Sequence, residues 1–297
     1  MQSSSSSVSV SSLVQYVFFA AIVYVLAGAP LSSFFSDSNA STGVSVNSDA
    51  GANLGKLENL VIPEADLSCD EHAYKGVYLL SREPLVVYIE GFVSSEEAKH
   101  VVDASTPLFK PSTIFNQGQE TLDTTVRNSQ KAAPPRDQTV KCIEERARTF
   151  QGWKPFVFVE KLWAQRYATG GHYTYHYDWS TAVKGSGRVS SFMVYLEANC
   201  TGGGTHFPRL QRPAGKEWCK FIECENEDLE PRLREGVIFK PAAGNAVYWE
   251  NMRADGTGYP ESWHAGLPVE RGTKVGLNIW SWLQVGYVPP SKVGSED

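Results

Sequence analysis

The sequence predicts a mainly β protein with flanking helices. A jelly-roll core would follow N-terminal supporting helices and an apolar segment of membrane-spanning length. Three observations carry this. From Phe156 onward, short aromatic and β-branched runs alternate with Gly and Pro, the pattern of many short strands joined by turns. Before that point, two stretches place apolar residues at helical spacing. The N-terminus carries a long apolar run, and the first charged side chain of the chain is Asp37.

That run, residues 13–31, is about 19 residues long, close to the ~20 that span a bilayer as a helix. Segment 1–31 therefore reads as a signal anchor, an N-terminal transmembrane helix, or as a long signal peptide. Ala27 and Ala29 supply the small-residue cleavage pattern, and Pro30 opposes cleavage there. A buried core helix is the third reading, and the polar stretch that follows argues against it. No Lys or Arg flanks the run, so charge does not orient it. Residues 32–83 are assigned as a flexible linker, because 32–57 is rich in Ser, Asn, Gly and Ala and has too little apolar surface to offset the entropy of ordering.

Leu85–Ile89 predicts a strand. Ser94 and Glu97 have capping-box spacing, so a helix should run from there to about Ala104. A second helix should start near Asp137, after the Pro134-Pro135 loop. Its Val140, Ile143, Ala147 and Phe150 share one face. These elements form a helical support over 84–155. The core, 156–285, should contain strands at Val157–Ala168, Tyr173–Trp179, Arg188–Glu197, Gly236–Lys240, Ala246–Trp249, Ser262–Val269 and Lys274–Val285. The polar stretch 209–235 interrupts them as a surface loop or small subdomain. No internal repeats occur.

Composition narrows the functional classes. With 42% hydrophobic and 12% aromatic residues over 297 positions, the chain is globular and long enough to bury a sizeable core. A net charge of −6 leaves no broad basic surface, so nucleic acid is excluded as a partner. Two glycosylation sequons, at Asn39 and Asn199, combine with the N-terminal run to put the catalytic part in the lumen of the secretory pathway, on an endoplasmic reticulum or Golgi membrane. Thiols pair in that compartment. Cys219 and Cys224, nearest in sequence, are the first candidates. One of the five cysteines must be left over, and Cys142, on a helix face, reads as a buried thiol.

The densest chemical signal is Tyr167 to Asp178. On a strand, residues i and i+2 share a face, so His176 and Asp178 can offer an imidazole and a carboxylate to one metal ion. His264 supplies a second imidazole. A tight turn at Glu270–Gly272 would fold a strand beginning at Thr273 back on it. Lys274 would then lie opposite Pro268, on the face His264 occupies, about 13 Å along the strand. That gap suits a short dicarboxylate chelating a metal at one end and meeting a lysine at the other. Two histidines and one carboxylate with open positions form the facial triad of non-haem Fe(II) oxygenases.

Over about residues 84–283 the sequence resembles the catalytic part of the Fe(II)- and 2-oxoglutarate-dependent prolyl 4-hydroxylases. The resemblance rests on Tyr167-x-x-Gly-x-x-Tyr173-x-x-His176-x-Asp178, on Arg188 leading Val-Ser-Ser-Phe-Met-Val-Tyr-Leu196, and on Gly202-Gly-Gly-Thr-His-Phe-Pro208. It continues through Pro241 to Trp249, Trp263-His264, Lys274 ten residues later, and Trp280. It implies a double-stranded β-helix that binds Fe(II) through His176, Asp178 and His264. Lys274 would pair with the distal carboxylate of 2-oxoglutarate, and the Tyr173 hydroxyl would reach that carboxylate too. Tyr167 and Trp280 would belong to the cofactor pocket, Arg188 and Trp179 to the substrate side. O2 would oxidise 2-oxoglutarate to succinate and CO2 while a substrate carbon is hydroxylated, with L-ascorbate keeping the iron reduced. The substrate would be a proline-containing peptide or secreted protein, or a smaller molecule. The single short chain resembles plant, algal and fungal members rather than the animal collagen-modifying enzymes.

Other residues take plainer readings. His172 sits at a loop entering a strand and reads as structural. His206 could compete for the third ligand position but has no lysine at the matching offset. Trp163, Trp179, Trp249 and Trp280 read first as core aromatics, with Trp179, next to the carboxylate ligand, the exception. The acidic Glu223–Glu230 run reads as solvated loop. Two other classes use the same residues: a zinc hydrolase with no need of Lys274, and a catalytically silent jelly-roll binding module.

Overall fold

The computed structural model describes residues 58–116, 119–154, 156–179, 185–224 and 230–286. Strands β1 (Gly76–Arg82) and β2 (Leu85–Glu90) come first. Helix α1 (Ser95–Ser105) follows, then the short strands β3 (Lys110–Pro111), β4 (Ile114–Asn116), β5 (Gln119–Thr121), β6 (Arg127–Asn128) and β7 (Gln130–Ala132). After helix α2 (Gln138–Phe150) come β8 (Val157–Val159), β9 (Trp163–Tyr167), β10 (His172–His176) and β11 (Ser186–Gly202). The chain closes with β12 (Thr205–Phe207), β13 (Val237–Phe239), β14 (Ala246–Glu250), β15 (His264–Gly266) and β16 (Val269–Gln284).

Both helices start where their capping residues require. The Ser94 hydroxyl accepts from the Glu97 amide at 3.1 Å, and the Glu97 carboxylate accepts from the Ser94 amide at 2.8 Å. Asp137 caps α2 by accepting from the Val140 amide at 3.1 Å. Helices of 11 and 13 residues are marginal alone and need an apolar face to bury. Here Ala98 and Val101 of α1 and Val140, Ile143 and Ala147 of α2 pack on one face of a large antiparallel sheet.

That sheet runs β1-β2-β14-β11-β16-β9-β7-β3, with β8 also on β16. Its long strands β11 and β16 pair from Ser186↔Gln284 to Gly202↔Val269. Val275, Leu277 and Ile279 of β16 and Phe192, Val194 and Leu196 of β11 belong to the cluster with the helices. By strand alternation Lys274 and Trp280, and Ser191, Met193 and Tyr195, face the other way, toward the smaller sheet β13-β12-β15-β10-β6. Met193 and Tyr195 meet Phe207, Val237 and Phe239 of that sheet in a second cluster. Two antiparallel sheets closing on a shared interior make the expected jelly roll.

Several expectations change. No turn forms at Glu270–Gly272. Val269 starts a strand that continues unbroken to Gln284, with Lys274 opposite Ala198 and Tyr167 rather than Pro268. Gly272 takes the positive φ of 83° that suggested the turn, but inside the ladder, where a Cβ would lie 2.0 Å from the Asn199 carbonyl oxygen. The predicted strand 157–168 is two strands, and 173–179 ends at His176. The linker assignment over 32–83 fails at its end, because β1 pairs with β2 along its length. Cys142 is bonded to Cys69, tying the segment before β1 to α2, and Cys219 pairs with Cys224 as expected. Cys200 is the remaining thiol. The described part of 209–235 is no plain surface loop, since Leu210, Phe221 and Ile222 are buried in the second cluster. Residues 1–57, with the apolar run and the Asn39 sequon, and most of the acidic run lie outside the described residues. Among the described residues no helix is long and apolar enough to cross a membrane.

Candidate active site

The smaller sheet brings the two predicted imidazoles together. β10 and β15 are antiparallel neighbours, with His176 directly opposite His264, their ring centroids 4.3 Å apart. Asp178 follows β10 by two residues, and its Oδ1 lies 3.7 Å from His176 Nε2. One ligand atom from each of the three residues falls within 4.8 Å of the others. No other group of three such side chains forms among the described residues.

Each side chain is held so that one donor atom stays available. His176 Nδ1 bonds the Thr174 carbonyl at 2.8 Å, and His264 Nδ1 bonds the Ser262 carbonyl at 2.9 Å. A carbonyl only accepts, so both rings carry a proton on Nδ1 and have Nε2 clear of these contacts. His264 is wedged between Phe207 and Trp249. Asp178 Oδ2 accepts from Ser191 Oγ at 2.7 Å and Trp280 Nε1 at 3.1 Å, leaving Oδ1 free. Burial, reinforced by the neighbouring His264, pushes the His176 pKa far down, so the ring is neutral. Burial also works to raise the Asp178 pKa, but the two imidazoles, Arg188 and Ser191 outweigh it and keep the carboxylate ionised. A neutral imidazole at His176 and an ionised carboxylate at Asp178 are the protonation states metal ligation needs.

Lys274 enters the same interior from the opposite, larger sheet. It is 0% exposed, donates to the Gly203 carbonyl, and lies over the Tyr167 ring at 4.7 Å. Among the described residues no carboxylate pairs with it, and burial depresses its pKa to about 8. A buried ammonium without an acid is costly, and an anionic ligand would relieve it. The residues thus fit both a divalent cation and a dicarboxylate.

Tyr173 stacks on His176 at 3.8 Å, with the Arg127 guanidinium 4.5 Å from its ring centre. Arg188, expected beside the substrate, has its head committed elsewhere. It makes two bonds to Glu160, at 2.7 and 2.8 Å, and stacks 4.0 Å from the Trp280 ring. Trp280 in turn holds Asp178. Trp179 donates to Ser262 Oγ at 3.0 Å and packs so closely on Gly258 that a Cβ there would meet its ring at 2.2 Å. His206 bonds Tyr175 and the Glu235 carbonyl, apart from the cluster, and His172 bonds the Gly170 and Thr125 carbonyls. Sequence reasoning missed Arg127, Glu160, Ser191 and Asn251. A half-buried Arg188 favours an acid partner, and that was the one signal pointing toward Glu160.

A jelly roll that turns a His–Asp–His cluster and an unpaired lysine into one interior has the build of a 2-oxoglutarate-dependent oxygenase. Comparison with known proteins agrees. The profile of the 2OG-Fe(II) oxygenase superfamily matches residues 162–282. Prolyl 4-hydroxylase 5 of Arabidopsis thaliana is 30% identical over 237 residues, covering 75% of this chain and 78% of that protein. Probable prolyl 4-hydroxylase 10 of the same plant is 30% identical over 73% of this chain and 74% of its own length. Among solved structures, the viral collagen prolyl hydroxylase of Paramecium bursaria Chlorella virus-1, in its 2OG complex, shares the fold. It has a TM-score of 0.50 at 24% identity, over 67% of this chain and 96% of that one. The chain belongs to the prolyl 4-hydroxylase family of Fe(II)- and 2-oxoglutarate-dependent dioxygenases. It is a dioxygenase that works with Fe(II), 2-oxoglutarate and O2, and with ascorbate as the family's reductant.

Proposed function

We propose that the enzyme converts proline residues of a peptide or secreted protein to 4-hydroxyproline, with His176, Asp178 and His264 holding the iron. The observation that carries the site is the direct cross-strand opposition of His176 and His264 beside Asp178, with Lys274 unpaired in the same interior. The relatives named as prolyl 4-hydroxylases support the substrate class.

Bound Fe(II) supplies the activation of O2 that couples oxidation of 2-oxoglutarate to succinate and CO2 with hydroxylation of the substrate carbon. The chain does the rest. The Nδ1 contacts aim both imidazoles, Ser191 and Trp280 turn one carboxylate oxygen inward, and Lys274 neutralises the distal carboxylate of the cosubstrate. Tyr173 and Tyr167 line the space beside it, and Arg188 holds Trp280. The aromatic walls around His264 exclude water, which strengthens each of these charge interactions.

The compartment belongs to the same proposal: a lumenal catalytic part, an anchor or signal over residues 1–31, and a connecting segment before β1. Two disulfides and an exposed Asn199 in its sequon support it. Glycosidase treatment of the protein expressed in a secretory host should shift its mobility. An unchanged band would count against a lumenal Asn199.

The reaction is tested by succinate release from 2-oxoglutarate with Fe(II), ascorbate and proline-rich peptides, with mass spectrometry of the peptide. Succinate coupled to peptide oxidation and lost in His264→Ala is expected. Succinate without peptide oxidation would overturn the substrate, and activity surviving in His264→Ala would overturn the site.

A further inference from the structure

The geometry points to Ser191 and Asn251 as a pair of positioning residues that select which oxygen of Asp178 is offered to the metal. The inference rests on the assignment of His176, Asp178 and His264 as ligands. Ser191 and Asn251 are both 0% exposed and come from β11 and the residue after β14 in the larger sheet, while Asp178 follows β10 of the smaller one. Asn251 Nδ2 donates to Ser191 Oγ at 2.9 Å, and Ser191 Oγ donates to Asp178 Oδ2 at 2.7 Å.

The direction of this chain is forced. A hydroxyl has one proton and accepts at its lone pairs. An ionised carboxylate only accepts, so the Ser191 proton must point at Asp178. The group behind the hydroxyl must therefore be a donor, and the amide NH2 of Asn251 is one. Among the described residues Asn251 Oδ1 has no hydrogen-bond partner, so the amide is turned toward Ser191 at the expense of a buried acceptor. The backbone holds Asn251 in place: its amide donates to the Val189 carbonyl at 2.7 Å and its carbonyl accepts from Tyr259 at 2.9 Å. Together with Trp280, the relay occupies Oδ2 and leaves Oδ1 facing His176. An aspartate free to rotate would present either oxygen, and part of its ligand strength would be spent on ordering it.

The test measures metal binding directly, by Co(II) titration read in visible absorption, on the full chain. Ser191→Cys keeps the shape but replaces a strong donor with a weak one. Asn251→Asp keeps the shape but replaces the donor with an acceptor, which draws the serine proton away from Asp178. Both should weaken Co(II) binding by about tenfold or more and alter the absorption band. Ser191→Thr, which retains the hydroxyl, should bind as the wild type does. Thermal unfolding of the metal-free proteins controls for folding, and if Asn251→Asp does not fold, Ser191→Cys decides. Wild-type affinity and spectrum in a folded Ser191→Cys would overturn the inference. His264→Ala separates the two levels: if it too binds Co(II) as the wild type does, the ligand assignment itself falls.

Discussion

Lys274 is an ammonium buried among neutral groups, and its consequences can be measured at a single side chain. A charge-assisted bond of this kind contributes about 1.5–3 kcal/mol. Lys274→Ala should therefore raise the KM for 2-oxoglutarate roughly 10- to 100-fold in a succinate-release assay. Because burial depresses its pKa to about 8, the free enzyme loses the ammonium as pH rises through that value. Affinity for 2-oxoglutarate should fall above pH 8 in the wild type and be flat there in Lys274→Ala, as titration calorimetry would read. The residues proposed to hold metal and cosubstrate stand out in the chain, because ligands need fixed types at fixed spacings: His176 and Asp178 two apart, His264 and Lys274 ten apart. Their supports could not. Ser191, Asn251 and Glu160 matter only because strands distant in sequence bring them beside Asp178 and Arg188.

At the scale of elements, the two disulfides should differ in worth. The Cys69–Cys142 bond closes 73 residues and Cys219–Cys224 only 5, so chain entropy assigns about 4 kcal/mol to the first and about 2 to the second. Denaturant unfolding of Cys69→Ser and Cys219→Ser should show that order. Gly272→Ala should destabilise by about 1–3 kcal/mol, because a Cβ at positive φ would press on the Asn199 carbonyl two residues from Lys274. The same assay checks it. These features also mark where elements were hard to read. Glu270-Arg-Gly272 has turn chemistry, yet these residues stay within the long pairing of β16 with β11, at a register irregularity that local sequence does not reveal. β1 was hidden for the opposite reason. Val77 and Leu79 face solvent at 52% and 46% exposure, so its alternation does not announce a buried face. The helices, by contrast, were legible because their caps and apolar faces are local.

For the molecule as a whole, Lys274 links cosubstrate, pH and stability. Below pH 8 the lysine is charged in both the folded and unfolded chain, and the folded state bears the full cost of burying that charge. Between pH 8 and 10.5 the folded protein releases the proton first, so this group's contribution to stability rises with pH. Bound 2-oxoglutarate removes the cost below pH 8. Its thermal stabilisation, about 2.7 kcal/mol at a hundredfold excess over Kd, should thus be largest near neutrality and shrink toward pH 9, as melting curves with a redox-inert divalent metal would show. The strand-rich core and the two helices differ in periodicity and so could be told apart, but the short strands β3–β7 between the helices carry no such signal, and β11 and β16 cover the helices on one face and the interior on the other. The opposition of His176 and His264 has one more consequence. A strand slipped by a single residue turns its side chains to the other face, so a chain with β10 and β15 misaligned would present at most one imidazole inward. Metal stoichiometry in a purified sample would then count correctly assembled molecules, and a chelating resin could separate them from kinetically trapped ones.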